Sequence, residues 1–502
     1  MNNSIYQRHL FYQSANADEE TIKANFLIRL SEYDIIIQDI MRNPMKGSVQ
    51  HYLLIGRRGS GKSTLLKRIQ IEIGSNPALK DKYIPINLAE EQANIYRLYD
   101  LLEEIIGELE QHGITQTPFE WNDDIHIYTR KLFDHLQQKI TQSGKKIILL
   151  LDNIDRIFEN IEDEASILRE YLLNYDNIRI IGGSTRMTEH FCKYNKPFYQ
   201  FFRVLELRAL TTKEVKTLLL SWSDQFDIPQ LRAFVETRPG QLETIRLLTD
   251  GLPRTLQFFV NILLTNAQDT GYEYLHHVMD NVTPLYQERL NSLPPSQRKI
   301  VLQLAFVWEA VGTGKLAEVT KMNNNALSAQ LKQLSDKGIV EKVETGNKNH
   351  LYRLVERFFN LWLIFTQGGP LEKRKAKYLT IFLEDFYAIE KMQLLTGKHQ
   401  PIINKISSGQ FENLHETVHA FVKNDPIQSR HLLRQLLLHG QFNLVYQIFH
   451  SPEMANTLRE LFAPIYYACL ILTQTKENIH LKIPPEITST VNVILQEIKE
   501  KK

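Results

Sequence analysis

The run Gly56-Arg57-Arg58-Gly59-Ser60-Gly61-Lys62-Ser63-Thr64, directly after the apolar stretch His51-Tyr52-Leu53-Leu54-Ile55, constrains this chain more than any other segment. Glycines at this spacing let backbone N–H groups turn inward around an anion. The lysine that follows reaches the outer oxygens of a polyphosphate, and the Ser63 hydroxyl suits a magnesium ion. An amphipathic pattern from Ser63 to Ile73 predicts a helix whose positive N-terminal end faces the same anion. Buried strand, glycine turn and helix are thus expected in that order, with residues 56–64 forming a phosphate-binding loop.

A magnesium ion held by one hydroxyl needs a carboxylate partner. Lys145-Lys146-Ile147-Ile148-Leu149-Leu150-Leu151-Asp152 is a continuous apolar run that ends in one. Uninterrupted Ile and Leu suit a parallel strand covered on both faces, with Asp152 at its C-terminal end. Taken alone, the run would equally suit a core strand whose Asp152 caps a helix; beside the loop it becomes a Walker B strand with Ser63 and Asp152 as metal ligands. Further strands are predicted at Lys82 to Leu88, Asn177 to Gly182 and Phe202 to Leu207, separated by helical patterns, which argues a parallel α/β sheet. The stretch Gly182-Gly183-Ser184-Thr185-Arg186 would present hydroxyls and a cation beside the loop, where a charge-assisted contact senses the γ-phosphate; a capped strand end with a solvated Arg is the alternative. Gly251-Leu252-Pro253-Arg254 opens the predicted helix Thr255 to Asn266. Arg254 there either returns to the phosphates or is simply a solvated first-turn residue.

With 502 residues, 43% hydrophobic and 23% charged, the chain is long enough for about three domains. Its 59 Lys+Arg balance 58 Asp+Glu, so nucleic acid would have to be met by a local patch rather than a global field. Cys192 and Cys469 fall in different predicted domains and offer neither a zinc ribbon nor a disulfide framework. Met1-Asn2-Asn3-Ser4 begins without a basic-then-apolar leader, and no stretch approaches about eighteen apolar residues. The expectation is a cytoplasmic protein without membrane contact.

On these motifs the chain resembles an AAA+ type P-loop ATPase of the group shared by origin-recognition initiators, the archaeal ATPase family and the STAND signalling ATPases. The resemblance covers about residues 20 to 365. Asn25-Phe26-Leu27-Ile28-Arg29-Leu30-Ser31-Glu32 is similar to the phenylalanine-x-glycine-arginine-glutamate box that lies against adenine, with Ile28 at the glycine position and the acid displaced to Glu32. Ser184-Thr185-Arg186 resembles sensor 1 and Gly251-Leu252-Pro253-Arg254 the glycine-x-proline lid element, with Arg254 at sensor 2. The resemblance implies an α/β P-loop NTPase domain of AAA+ type with a helical lid, ATP and Mg²⁺ as ligands, and Lys62, Asp152, Arg186 and Arg254 as the working residues. It also implies homo-oligomers in which an arginine is lent to the neighbouring subunit; Arg203 is the candidate, with an ordinary strand-edge arginine as the alternative. One departure bears on rate. Where active relatives place Glu after the Walker B Asp, this chain has Asn153, whose carboxamide orients water but accepts no proton at neutral pH. Asp155, Glu90 and Glu91 are the alternative bases, and slow turnover by a nucleotide-gated switch is expected.

Gln297 to Phe365 has the pattern of a winged helix: helices at Lys315 to Thr320 and Asn324 to Lys337, then a hairpin from Ile339 to Leu354 around Thr345-Gly346-Asn347. The presumed recognition helix exposes Asn325, Ser328, Ala329, Lys332 and Gln333, a single cation where DNA binding usually needs several. An intramolecular spacer is therefore favoured over DNA reading. Beyond Gly369 the chain is helical. Gly409-Gln410-Phe411 returns 31 residues later as Gly440-Gln441-Phe442, each copy leading into an apolar helix that stops at Pro426 or Pro452. This suggests a short helical repeat with a protein partner on it, or coincidence within a bundle. His415-Glu416-Thr417-Val418-His419 spells a zinc motif but lacks its downstream histidine, and reads better as the polar face of a helix whose apolar face is Phe411, Leu414, Val418 and Phe421. The expected organisation is an ATPase domain over 1–208, a lid over 209–290, a winged helix over 291–368 and a C-terminal helical domain over 369–502. It suggests a regulatory ATPase switch in bacterial signalling or defence, with a DNA-binding initiator or transposition-type helper as the alternative.

Overall fold

The computed structural model describes residues 18–47, 49–88, 94–114, 121, 123–257, 260, 271–345, 350–388, 400–408, 414–424, 429–452, 455–473 and 478–501. Contacts divide the chain into two compact units, Met1–Ala209 and Leu210–Lys502.

The first unit is built on five parallel strands: β1 His51–Ile55, β2 Tyr83–Leu88, β3 Lys146–Leu151, β4 Ile178–Ser184 and β5 Phe202–Glu206, in the order β2-β3-β4-β1-β5. Their apolar runs alternate between the two faces. Leu53, Ile147, Leu149, Leu151 and Ile180 enter one core; Tyr52, Leu54, Ile148, Leu150 and Ile181 enter the other. Helices close both faces, so each strand can be apolar throughout. The edge strand β5 differs, with Arg203, Val204 and Glu206 exposed.

β4 runs to Ser184, two residues past the expected end. Gly182 and Gly183 pair with Leu53 and Leu54 of β1. They are glycines because a Cβ at 182 would lie 2.5 Å from Ile154 Cδ1, and one at 183 would lie 3.0 Å from Asp152 Oδ1. The strand therefore continues under the Walker B turn, where a Cβ at 182 would force Ile154 to shift and one at 183 would crowd Asp152.

The second unit is mainly helical. Thr212–Gln225, opened by a Thr211/Glu214 capping box, leads to Pro229–Thr237 and Pro239–Leu248; a further helix opens at Pro253, and Gly271–Asn291 follows. Next come Pro295–Val307, β6 Val311–Gly312, Thr313–Thr320, Asn324–Asp336, β7 Val340–Val343 and β8 Leu351–Leu354, the three strands forming an antiparallel sheet in the order β6-β8-β7. Asn325, Ser328, Ala329, Lys332 and Gln333 are solvent-exposed, while Leu327, Leu331 and Leu334 face inward. Gly346, Asn347 and Lys348 lie outside the described residues.

Arg357–Gln367 is buried from Arg357 to Phe365 and carries the core of this unit; its Trp362 indole donates to Thr283 Oγ1 at 2.9 Å. Pro370–Tyr387 then packs so closely on Pro239–Leu248 that a Cβ on Gly240 would lie 2.3 Å from the Glu384 carbonyl oxygen. The C-terminal helices thus share a core with the segment that begins the unit. Of the 31-residue repeat, Gly440 closes Ser429–Leu438 at φ 77 and Gln441 caps Phe442–Phe449, while Gly409 to Asn413 and Pro426 lie outside the described residues. On Leu414–Asn424, Leu414 and Val418 are buried as expected, but Val422 takes the inward position and Phe421 is half-buried. His419 Nε2 lies 3.2 Å from Ser451 Oγ, and the side chain of His415 is outside the described residues. Among the described residues no group of three His, Cys, Asp or Glu could hold a metal, and no helix is long and apolar enough to cross a membrane.

Candidate nucleotide site

Because β1, β3 and β4 are parallel neighbours, their C-terminal ends deliver the glycine loop, Asp152 and Ser184 to one edge of the sheet. The Gly56 N–H donates to the Ser184 carbonyl at 3.1 Å, which continues the ladder into the loop itself. Ser60 N–H turns back on Arg57 O at 3.1 Å. Gly59 and Gly61 hold φ of 84° and 96°, a region closed to most side chains. Gly56 is required for a different reason: a Cβ there would meet Ser60 Oγ at 2.4 Å and Leu207 Cβ at 2.9 Å. Helix Lys62–Ser75 begins at Gly61, with Thr64 half-buried in its first turn; Arg57 is half-buried and Arg58 exposed.

Lys62 is 7% exposed, and its ammonium donates to Gly56 O at 2.7 Å and Arg57 O at 3.3 Å. Ser63 Oγ donates to Asp152 Oδ2 at 2.5 Å. The two residues picked as metal ligands, 89 positions apart in sequence, are therefore in contact. Asp152 is nearly buried and its Oδ1 accepts the Asn153 N–H at 3.0 Å. A hydroxyl and a carboxylate oxygen side by side form a hard oxygen donor set, which suits Mg²⁺. Asn153 itself adopts the left-handed conformation, φ 51°, and starts helix Ile154–Asn160 without a side-chain cap.

Asp155, in the first turn of that helix, is 7% exposed and its Oδ1 has no hydrogen-bond partner. Burial raises its pKa, against the opposing pull of the Ser184 hydroxyl and the Arg186 charge. Arg186 is half-buried, 3.7 Å from Glu159, and its backbone N–H and C=O both engage Ser184 Oγ. Sequence reasoning thus named a set that converges in space: Gly56 to Ser63, Asp152, Asp155 and Arg186. Arg203 is exposed on the edge strand, its guanidinium 6.0 Å from the Tyr52 ring centroid. Pro253 and Arg254 belong to the second unit, where Arg254 is exposed in the first turn of its helix. Glu90 and Glu91 lie outside the described residues.

One residue acquired a role that pattern did not supply. Arg29, noted only as part of the N-terminal box, is 6% exposed and donates from Nε to the Ser60 carbonyl at 3.2 Å. Its neighbours Phe26 and Tyr33 pack at 5.5 Å between ring centroids.

This is an α/β P-loop fold of the AAA+ type with a large helical C-terminal region. Residues 46–181, from just before β1 into β4, match the model of the AAA domain family. The chain is also similar to an uncharacterized HTH-type transcriptional regulator of Methanocaldococcus jannaschii, 21% identical over 370 residues that cover 67% of this chain and 89% of that one. Among solved structures it is similar to the Aeropyrum pernix ORC2 protein in ADPNP-ADP complexes, at 14% identity and a TM-score of 0.45 over 68% of this chain and 95% of that one. A second is CDC6P of Pyrobaculum aerophilum, at 16% identity and a TM-score of 0.36 over 73% and 97%.

Proposed function

We propose that this protein binds ATP with Mg²⁺ and hydrolyses it slowly, as a nucleotide-gated switch. The contact between Ser63 Oγ and Asp152 Oδ2 carries the reading, because it joins the loop hydroxyl to the Walker B carboxylate. Ser63 and Asp152 would hold the magnesium, which neutralises charge on the β- and γ-phosphates when bound. Lys62 leaves the carbonyls of Gly56 and Arg57 for the phosphate oxygens, and the loop N–H groups orient the chain of phosphates. Asn153 positions water without taking its proton. The nearest buried carboxylate on the same helix turn is Asp155, and we assign it the proton. Arg186 senses the γ-phosphate from β4, and Arg254, with Pro253 before it, supplies the lid's contact.

The same reading assigns residues 209–290 to the lid, 291–368 to a winged helix that serves as a spacer, and 369–502 to a region that meets a protein partner. The protein then works as a cytoplasmic homo-oligomer, with Arg203 the residue lent between subunits, in signalling or defence. Fluorescent ATP binding to the whole chain, with and without Mg²⁺, tests the proposal. Micromolar affinity lost in Lys62→Ala, and magnesium dependence lost in Asp152→Asn, are expected; a folded protein indifferent to millimolar ATP refutes it. A steady-state rate in the range of about 10 s⁻¹ or more would refute slow turnover.

A second reading, a DNA-associated initiator or transposition-type helper, would use the exposed face Asn325, Ser328, Lys332 and Gln333, whose single cation keeps it second. Duplex affinity in ATP that falls with salt and with Lys332→Ala would select it.

A further inference from the structure

Arg29 ties the middle of the phosphate loop to the backbone that leaves β5. It precedes helix Leu30–Arg42 in the left-handed conformation, φ 64° and ψ 22°, a strained setting for a long side chain. From that position its guanidinium donates through Nε to Ser60 O at 3.2 Å and through Nη2 to Arg208 O at 2.5 Å. Its Nη1 lies 3.9 Å from Glu32, a weaker contact.

The Ser60 carbonyl shares a rigid peptide plane with the Gly61 N–H, and the two point in opposite directions. Pulling the carbonyl toward Arg29 therefore aims the Gly61 N–H the other way. Lys62 performs the equivalent task on the carbonyls of Gly56 and Arg57 only while its ammonium stays with them. Arg29 acts from outside the loop and is free to hold on when Lys62 engages a phosphate. Its second acceptor, Arg208, stands next to Ala209, where the first unit ends.

We propose that Arg29 is a positioning residue of the phosphate loop: it fixes the Ser60–Gly61 peptide in its anion-binding orientation and registers that peptide on the backbone at Arg208. The inference rests on the nucleotide-site reading above. It is distinct from any contact of this segment with a base.

Full-length wild type, Arg29→Lys and Arg29→Met are compared for binding of MgATP and of inorganic tripolyphosphate, which has no base. Arg29→Met, without a donor, weakens both probes by the same factor, about 100-fold; Arg29→Lys, with one donor centre in place of a fork, weakens both by about 10-fold. Loss of ATP affinity with tripolyphosphate unchanged would overturn the proposal in favour of a base contact. Unchanged affinity for both probes would also overturn it, and so would failure of both variants to fold, which would make Arg29 a residue of folding. If wild type binds neither probe, the nucleotide site itself fails.

Discussion

Replacing Glu486 by Ala should destabilise the second unit by several kcal/mol, although Glu486 is far from the nucleotide loop in sequence. Glu486, on Pro485–Lys501, accepts from Arg357 Nε at 2.9 Å and Nη2 at 2.8 Å, and also from the Trp308 indole. Both members of the ion pair are 2% exposed. Arg357 Nη2 also donates to Trp308 O at 3.1 Å, and the Arg357 N–H is held by Asp250 Oδ2 at 2.8 Å. Four segments thus meet at one buried charge pair, and Trp308, which follows helix Pro295–Val307, holds φ 69° there. Removing the carboxylate leaves a guanidinium in the core with one carbonyl partner. The cost of breaking such a pair is about 3–5 kcal/mol. For a unit of roughly 290 residues, with an unfolding entropy of about 2.1 cal/mol/K per residue, about 4 kcal/mol corresponds to a fall of about 7 °C in Tm. Calorimetry on wild type, Glu486→Ala and the double variant Arg357→Met/Glu486→Met measures this. The double variant should lie within about 2 kcal/mol of wild type, because no charge is left unpaired. A single variant within about 1 kcal/mol of wild type, or a double variant less stable than the single, would refute the reasoning.

Gly56→Ala should abolish ATP binding while the sheet survives, since its Cβ would lie 2.4 Å from Ser60 Oγ and the loop must shift; binding and circular dichroism measured together check this. His51, 2% exposed and accepting the Ile180 N–H at 3.0 Å, has its pKa pushed down to about 3 by burial and by Arg179. The unfolded chain therefore takes up this proton first. Stability from His51, about 5 kcal/mol, is complete above about pH 6.5 and is lost as pH falls toward 3; His51→Gln should flatten that limb of an acid titration. Asp155 has the opposite sign. Burial raises its carboxyl pKa, so the native state is penalised as pH rises above the ordinary carboxylate range. Asp155→Asn should be more stable than wild type at pH 7, by a margin that fades in acid, and should lower turnover by about 100-fold.

Much of the first unit was legible in sequence because its signals are local. β1 was expected at His51–Ile55 and β3 at Lys146–Leu151, and both are found there, since a short and nearly continuous apolar run suits a strand covered on both faces. The glycines of the loop declare themselves by spacing, as does the helix that follows. Where chain ends and pairings intervene, legibility falls. β4 was placed two residues short because nothing local says that Gly182 and Gly183 lie beneath Ile154 and Asp152. The inward turn of Val422 in place of Phe421 was set by the neighbouring helices, which a single helix's period does not contain.

The sequence alone determined the chemistry that could be assembled: a lysine, a hydroxyl and a carboxylate, each in a segment whose conformation its own residues dictate. Only the tertiary structure decided that Ser63 meets Asp152, that Arg29 grips the loop from outside, and that Arg357 finds Glu486 across 129 positions. Turns and periods are written in short-range sterics, which neighbouring residues specify. Contacts between distant segments depend on which strands pair and which faces are left to be covered, and those choices are made by the whole core at once.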